Sequence, residues 1–357
     1  MNNKHNFNPG PAILPASVLE AAADAARDYM GKGLSLLEIS HRTPEFEAIL
    51  VEAEQLLREL MGISSDYAVL FLSGGASQQF AQVPLNLLPI GGQAAYLDTG
   101  VWASKAIDEA RVYGDIHVVA SGKEYGYRCI PTGFSIPNAC SYFHYTSNNT
   151  IYGTETIGVP TTPVPLVCDM SSDILSQEVD VSKYALIYAS AQKNMGPAGV
   201  SVVIVKKDVL GRSNRDIPNI FDYSILTKNG SLYNTPPVYA IYVTMLNLRW
   251  LKEQGGIAGI AAYNLAKSTL LYREIDQSNL FEGRADESCR SRMNATFVLK
   301  APEHTQDFLA FAEARGIVGI AGHRSAGGFR ASLYNALPLE SVSALVVAMQ
   351  EYERLRG

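Results

Sequence analysis

The feature that most constrains this chain is a series of short, unbroken apolar runs separated by helix-length stretches. YAVLFL (67–72), AAYLD (94–98), IHVVA (116–120), SYFHYT (141–146), VPLVCD (164–169), ALIYAS (185–190) and VSVVIV (200–205) are each long enough for one strand. Their apolar residues are consecutive rather than alternate, which marks strands buried on both faces. That is the pattern of a mostly parallel sheet covered by helices, an α/β architecture. Between the runs lie helical patterns. One spans Pro44–Met61, with Thr43 as N-cap, Pro44 in the first turn and Gly62 after the end. WASKAIDEARVYG (102–114) reads as another. A helix is expected to open near Ser17, because Ser17 and Glu20 have capping-box spacing.

The 357 residues exceed the roughly 250–300 that one core supports, so two domains are expected. Helical stretches at about 237–254 and 257–277 break at Gly255–Gly256. Beyond them ATFVLK, HTQDFLAFAEARG, GIVGI, GFRASLY and SVSALVVAMQEYERLR read as strand, helix, strand, strand and helix, a compact α+β unit. The boundary falls near residue 260. Residues 17–259 form the large domain; the extended arm 1–16 and residues 260–357 make up the rest.

The net charge of −6 argues against bulk attraction to nucleic acid or an anionic membrane. It leaves room for a small cationic pocket. No apolar run approaches a membrane-spanning length, and MNNKHNFNPGPAILP has no signal-peptide pattern. Four cysteines with irregular spacing and no CxxC read as reduced thiols. No metal site and a cytoplasmic location are expected. Without a secretory signal, the sequons at Asn148, Asn229 and Asn294 carry no meaning.

Candidate chemistry clusters where strands end. SGGASQQF (73–80) turns a strand into a helix through Gly-Gly, which suits a phosphate on the helix N-terminus or is simply a tight turn. Asp169 ends a strand, where an acid can hold a cationic heterocycle nitrogen or cap a helix. Lys193 follows ALIYAS in SAQKNMGPAG. It is either a solvated turn lysine or a desolvated amine able to form a covalent carbonyl adduct. Two of the six histidines precede arginine, His41–Arg42 and His323–Arg324. Chance places well under one such pair, and mixed His and Arg donors suit a dianion. Arg330 can fork onto a carboxylate or make a surface ion pair. Trp102 can stack on an aromatic cofactor or fill a core. Asn234–Thr235 can cap the following helix or donate to a phosphate.

NFNPGPAILP, ISHRTPEF, GGASQQFAQVPLNLL, DTGVWASKA, CDMSSDILS, SAQKNMGPAG, YNTPPVYAIY and GHRSAGGFRASLYNA together resemble the phosphoserine aminotransferase family. It belongs to the fold-type-I pyridoxal-phosphate enzymes of the class V group. The resemblance spans about residues 6–340 and implies pyridoxal 5′-phosphate as cofactor. It implies that Lys193 attaches the cofactor and moves the α-proton, and that Asp169 pairs with the pyridine nitrogen. Trp102 stacks on the ring, and Thr150 lies near the phenolic oxygen. Ala76, Ser77 and Gln192 cradle the phosphate, joined by Asn234 and Thr235 from the other subunit of a homodimer. Arg330 anchors the α-carboxylate. His41, Arg42, His323 and Arg324 hold the distal anion, which is glutamate's carboxylate or a phosphate ester. The implied reaction takes an amino group from L-glutamate to 3-phosphohydroxypyruvate. It yields 2-oxoglutarate and O-phosphoserine in serine biosynthesis, and some members also serve pyridoxine biosynthesis. One departure stands out: some members carry Arg where this chain has Ser77.

Two rival classes share parts of the pattern. An alanine–glyoxylate type transaminase or a cysteine desulfurase-like lyase keeps the cofactor, but needs no second anion cluster, and the lyase needs a reactive Cys. A non-catalytic phosphometabolite-binding protein keeps GGAS and the His–Arg pairs, but has no use for Lys193 and Asp169 together.

Overall fold

The apolar runs assemble into one seven-stranded sheet. In the computed structural model, which describes residues 4–356, the strand order is Tyr67–Leu72, Ser201–Lys206, Leu186–Ser190, Leu166–Asp169, Phe143–Thr146, Gln93–Asp98 and Asp115–Ser121. Ser201–Lys206 is antiparallel to both neighbours. The other pairings are parallel, so six strands end at one edge of the sheet. Ligands of open α/β sheets bind at that edge.

The helices are α1 (Ala16–Arg27), α2 (Pro44–Met61), α3 (Gly75–Leu87), α4 (Val101–Ala110), α5 (Tyr223–Lys228), α6 (Val238–Glu253), α7 (Gly256–Gln277), α8 (Thr305–Glu313) and α9 (Leu339–Arg356). Consecutive strand residues feed opposite faces. Ile187 and Ile204 pack with Phe46 and Leu57 of α2 and Leu248 of α6. Tyr188 and Val203 pack with Phe80 and Val83 of α3, Ile107 of α4 and Tyr223 of α5. Apolar side chains on both faces explain why the sequence showed continuous runs.

The cap of α2 forms as its sequence predicts. Thr43 Oγ1 accepts from the Phe46 N–H at 3.5 Å, and Gly62 ends the helix at φ 63°. The helix expected to open near Ser17 is α1, but the capping box that predicted it does not form. The helix begins at Ala16 with Pro15 as N-cap, and no side chain caps it. Pro15, at φ −58° and ψ 141°, holds the chain extended up to the first turn, which leaves Ser17 inside the helix.

The C-terminal unit is an antiparallel sheet of Phe281–Gly283, Asn294–Leu299 and Phe329–Ser332, in that order. Its core joins Leu271 of α7, Phe308 of α8 and Met349 of α9 to Phe281, Phe297 and Phe329. Phe7 of the N-terminal arm lies in the same cluster, and His5–Asn6 pair in parallel with Ile317–Val318. GIVGI is therefore a strand of only two residues. Gly316 and Gly319 flank it at φ 78° and 80°, outside the extended region a longer strand requires.

A buried amide network ties this unit to the large sheet. Asn264 of α7 donates to Asn335 Oδ1 at 2.8 Å. The Asn335 N–H donates to Asn194 Oδ1 at 3.0 Å, and Asn194 Nδ2 donates to the Ile174 carbonyl at 3.1 Å. All three asparagines are buried. The turn that carries Lys193 is thereby fixed from behind by the residue that follows it.

Candidate active site

A cavity of about 340 Å³ opens at the carboxyl edge of the sheet, within the ~300–1,000 Å³ typical of small-molecule sites. Each wall is the exit of a strand. Gly75, Ala76 and Ser77 come from the start of α3, and Trp102 from the start of α4. Thr146 ends its strand, and Asn148 and Thr150 follow it. Asp169 ends its strand, and Gln192 and Lys193 follow Ser190.

Gly74 and Gly75, at φ 94° and 69°, turn the chain sharply enough for α3 to begin directly after its strand. The free N–H groups and the positive end of the helix dipole then border the cavity, a setting for a phosphate. Across from them the Lys193 ammonium donates to Thr150 Oγ1 at 2.6 Å. Burial pulls the Lys193 pKa down to about 8, with Asp169 pulling it back up and Arg330 adding to the depression. Burial also raises the Asp169 carboxyl, opposed by hydrogen bonds from Ser171 and by the charge of Lys193. Asp169 Oδ1 accepts from the Ser171 N–H at 2.9 Å. It caps a turn rather than a helix, and it remains in the cavity wall.

A depressed pKa alone does not single out the nucleophile. Burial brings Lys267 to about 7, yet its ammonium donates to the Leu333 and Tyr334 carbonyls at 2.9 and 2.7 Å. It is tied to the backbone, whereas Lys193 faces the cavity. In cofactor-free protein, labelling of Lys193 by an amine-selective electrophile should rise through about pH 8 and level off above it, because the free base is the reactive form. Peptide mapping by mass spectrometry reads this directly. A midpoint near the ordinary lysine value of 10.5 would contradict the desolvated setting.

The remaining predicted residues lie around this centre at different depths. Arg330 is buried and its Nη1 donates to the Thr150 carbonyl at 3.2 Å, while its Nε has no partner among the described residues. Burial lowers the His323 pKa, and Arg330, Arg324 and Lys105 lower it further, which places three cations around this imidazole. His323 Nδ1 also lies 2.8 Å from Ser325 Oγ. His41 and Arg42 stand in the segment before α2, and Arg42 is exposed. Neither lines the cavity. Asn234 and Thr235 are exposed. Asn234 borders a separate cleft with Ser73 and Gln78. One chain thus assembles the Lys193 centre, with Arg330 reaching it through the Thr150 carbonyl, but His323–Arg324, His41–Arg42 and Asn234–Thr235 do not line the cavity.

Sequence reasoning missed several wall residues. Thr146 and Asn148 sit at a strand exit, the same signal that found Asp169. The arm also contributes: Ala12 N–H donates to the Gln192 carbonyl at 2.9 Å, and the Pro9 carbonyl accepts from Tyr334. A Cβ on Gly10 would lie 3.5 Å from Lys193 Cγ in a backbone conformation, φ 141°, that disfavours side chains. No periodicity signals such a contact.

The donor set fits pyridoxal phosphate. A helix N-terminus suits its phosphate, and a buried acid with no cation bonded to it among the described residues suits a protonated ring nitrogen. A half-buried indole lies beside a partly desolvated amine. Thr146 Oγ1 and Asn148 Oδ1 are buried wall atoms with no partner among the described residues, as expected of groups awaiting a polar ligand.

A strand-edge cavity with lysine and aspartate on adjacent exits of a helix-covered sheet defines a class of pyridoxal-phosphate transferase folds. The family described as aminotransferase class-V matches residues 4–345. A phosphoserine aminotransferase of Flavobacterium psychrophilum is 54% identical, over 98% of this chain and 99% of that one. The structure of phosphoserine aminotransferase from Bacillus circulans subsp. alkalophilus superposes with a TM-score of 0.97 at 45% identity, covering 100% of both chains. A pyridoxal-phosphate-bound phosphoserine aminotransferase from Trichomonas vaginalis gives a TM-score of 0.92 at 37% identity, over 98% of this chain and 100% of that one. The chain belongs to the class-V aminotransferases and, among them, to the phosphoserine aminotransferase family.

Proposed function

We propose that this chain uses pyridoxal 5′-phosphate to move the amino group of L-glutamate to 3-phosphohydroxypyruvate, giving 2-oxoglutarate and O-phosphoserine. The observation that carries the reading is the pairing of Lys193 and Asp169 across one cavity in a chain of this family. Bound there, the cofactor supplies an electron sink for the pair left when the substrate α-proton departs. Lys193 Nζ would hold the cofactor, and its free base would carry that proton. The Asp169 carboxylate holds the positive charge on the ring nitrogen. The start of α3, with Ala76, Ser77 and Gln192, receives the phosphate, Trp102 covers the ring, and Thr150 steadies Nζ and the phenolic oxygen.

Arg330 binds the substrate α-carboxylate, and His41, Arg42, His323 and Arg324 bind the distal anion. The enzyme works as a homodimer with shared sites. Asn234–Thr235 and His41–Arg42 stand outside the single-chain cavity, which supports that reading. Its unpaired thiols agree with a cytoplasmic location. Cys129, Cys140, Cys168 and Cys289 all lie outside the cavity lining, and burial raises the Cys140, Cys168 and Cys289 thiols, which disfavours a cysteine-dependent lyase.

Two substitutions separate the anion sites. Arg330→Ala should raise KM for glutamate and phosphoserine alike, by about 10²-fold, because both present an α-carboxylate to a buried cation. Arg42→Ala should weaken phosphoserine several-fold more than glutamate, since a dianion gains more from each cation. Equal losses for Arg42→Ala would remove it from the distal site. The deciding experiment is the absorbance of the holoenzyme before and after O-phosphoserine without keto acid. Conversion of the visible cofactor band demonstrates the half-reaction. A band moved by alanine or cysteine but not by phosphoserine would overturn the substrate assignment.

A further inference from the structure

We propose that Lys267 is a positioning residue for Lys193: by gripping the segment Leu333–Asn335, it closes a clasp on both the turn and the stem that carry the reactive amine. The proposal rests on the reading of Lys193 as the group that takes the α-proton. Lys267 lies on α7, outside the cavity lining.

Lysine is rarely buried without a carboxylate beside it. Lys267 is 0% exposed, and its Nζ donates to two consecutive carbonyls, Leu333 at 2.9 Å and Tyr334 at 2.7 Å. A methionine of similar length would bury at less cost, so the amine is explained by the segment it holds. Two N–H groups serve the two carbonyls, and the neutral amine has both, so the bonds survive loss of the third proton. Asn264, one helical turn earlier, lies on the same face of α7 and donates to Asn335 Oδ1 at 2.8 Å. The helix therefore grips successive residues directly after Phe329–Ser332, the strand that carries Arg330.

The gripped residues reach Lys193 from two directions. Behind it, the Asn335 N–H donates to Asn194 Oδ1 at 3.0 Å, and Asn335 Nδ2 donates to the Leu175 carbonyl at 2.9 Å, on the segment after Asp169. In front, the Tyr334 hydroxyl donates to the Pro9 carbonyl at 2.9 Å. A carbonyl only accepts, so the direction of that bond is fixed, and the Tyr334 oxygen is left to accept from Asn294 Nδ2 at 3.2 Å. The next arm residue, Gly10, runs along the lysine stem: a Cβ there would stand 3.5 Å from Lys193 Cγ and 3.7 Å from Cε. With the arm on one side and the Asn194 turn on the other, Nζ keeps its bearing on Thr150 Oγ1, 2.6 Å away. Arg330 is held separately, by the ladder between its strand and Asn294–Leu299. Loosening the clasp therefore moves the amine and not the carboxylate anchor.

The test is Lys267→Met, which keeps the stem and removes the donors. In the holoenzyme, the single-turnover rate with O-phosphoserine should fall about tenfold while the half-saturating concentration stays within about twofold, because a misaimed base costs rate and not binding. In cofactor-free protein, the labelling midpoint of Lys193 should rise from about 8 by about one unit, as water gains access to the amine. Tyr334→Phe cuts the arm side alone and should show both changes to a smaller degree; if Lys267→Met does not fold, it decides by the same criteria. Tyr272→Phe is the reference for plain destabilisation. It removes a hydrogen bond from α7 to the Ser291 carbonyl, 2.8 Å long, away from the clasp, and should lower stability with both readouts at wild-type values. A wild-type rate or an unmoved midpoint in Lys267→Met, or equal changes in Tyr272→Phe, would overturn the clasp. A Lys193→Ala variant that keeps more than about one tenth of the rate removes the reading of Lys193 itself; with that variant inactive, a wild-type Lys267→Met removes the clasp alone.

Discussion

Replacing Lys193 by alanine should lower the transamination rate by about 10⁴-fold while leaving a folded protein that still binds the cofactor. The expectation follows from what Nζ does and what could stand in for it. It is a cavity-facing amine with a pKa near 8, so the free base is accessible close to neutral pH. Thr150 Oγ1, 2.6 Å away, aims it. Arg330 is the other cation acting on it, and a guanidinium cannot take a proton at working pH. Lys267 is tied to two carbonyls. In the proposed site Asp169 pairs with the ring nitrogen. With no second lysine lining the cavity among the described residues, both covalent attachment and proton transfer are lost together.

The alanine leaves space where an ammonium stem lay, so added methylamine or ammonia should restore part of the rate, rising with amine concentration. Phosphate, ring and acid contacts persist, so cofactor affinity should fall far less than the rate. Single-turnover kinetics with O-phosphoserine, read with and without amine, checks both points. A variant keeping more than about one tenth of the wild-type rate would mean that the α-proton moves through another group.

The residues on which this expectation depends were legible for a simple reason. Lys193 and Asp169 follow continuous apolar runs, and such runs specify parallel strands whose ends share an edge. Gly74–Gly75 announced the start of α3 in the same way. What was not legible is polar and buried. Asn194, Asn264 and Asn335 look in sequence like loop or surface residues, because burial of an amide depends on partners that distant segments bring. His144 is one letter inside an apolar strand, and only the ladder shows that it meets Tyr188. Ser17 had correct capping-box spacing and lost to Pro15, whose fixed φ set the helix start first. The arm contact through Gly10 depends on tertiary packing, which a local pattern does not encode.

Asp169→Asn tests the other half of the site, and it should slow both half-reactions by about 10³-fold with the cofactor still attached to Lys193. The substitution preserves shape: an asparagine side chain can still accept from the Ser171 N–H. What it removes is the negative charge. In the cofactor-free chain, burial already raises the Asp169 carboxyl, so charge there is sustained only by partners. A cationic ring nitrogen in contact is the strongest such partner, because opposite charges in a desolvated site favour ionisation of both. Without the carboxylate the ring nitrogen loses its reason to stay protonated, and the capacity to accept the α-carbon electron pair falls.

Glutamate and phosphoserine should suffer equally, since the effect lies on the ring and not in either anion site. Asp173 supplies the control. It is buried close by, its carboxyl is held well above the usual range chiefly by burial, and Ser147 Oγ donates to it at 2.5 Å. Burial opposes charge on the Asp173 carboxyl more strongly than on Asp169, and it does not line the cavity, so Asp173→Asn should stay within about tenfold of wild type. Stopped-flow traces of the cofactor band for the two variants separate charge from packing. A slow Asp169→Asn beside a near-normal Asp173→Asn places the requirement on the Asp169 charge, and comparable rates in the two would reduce both acids to structural groups.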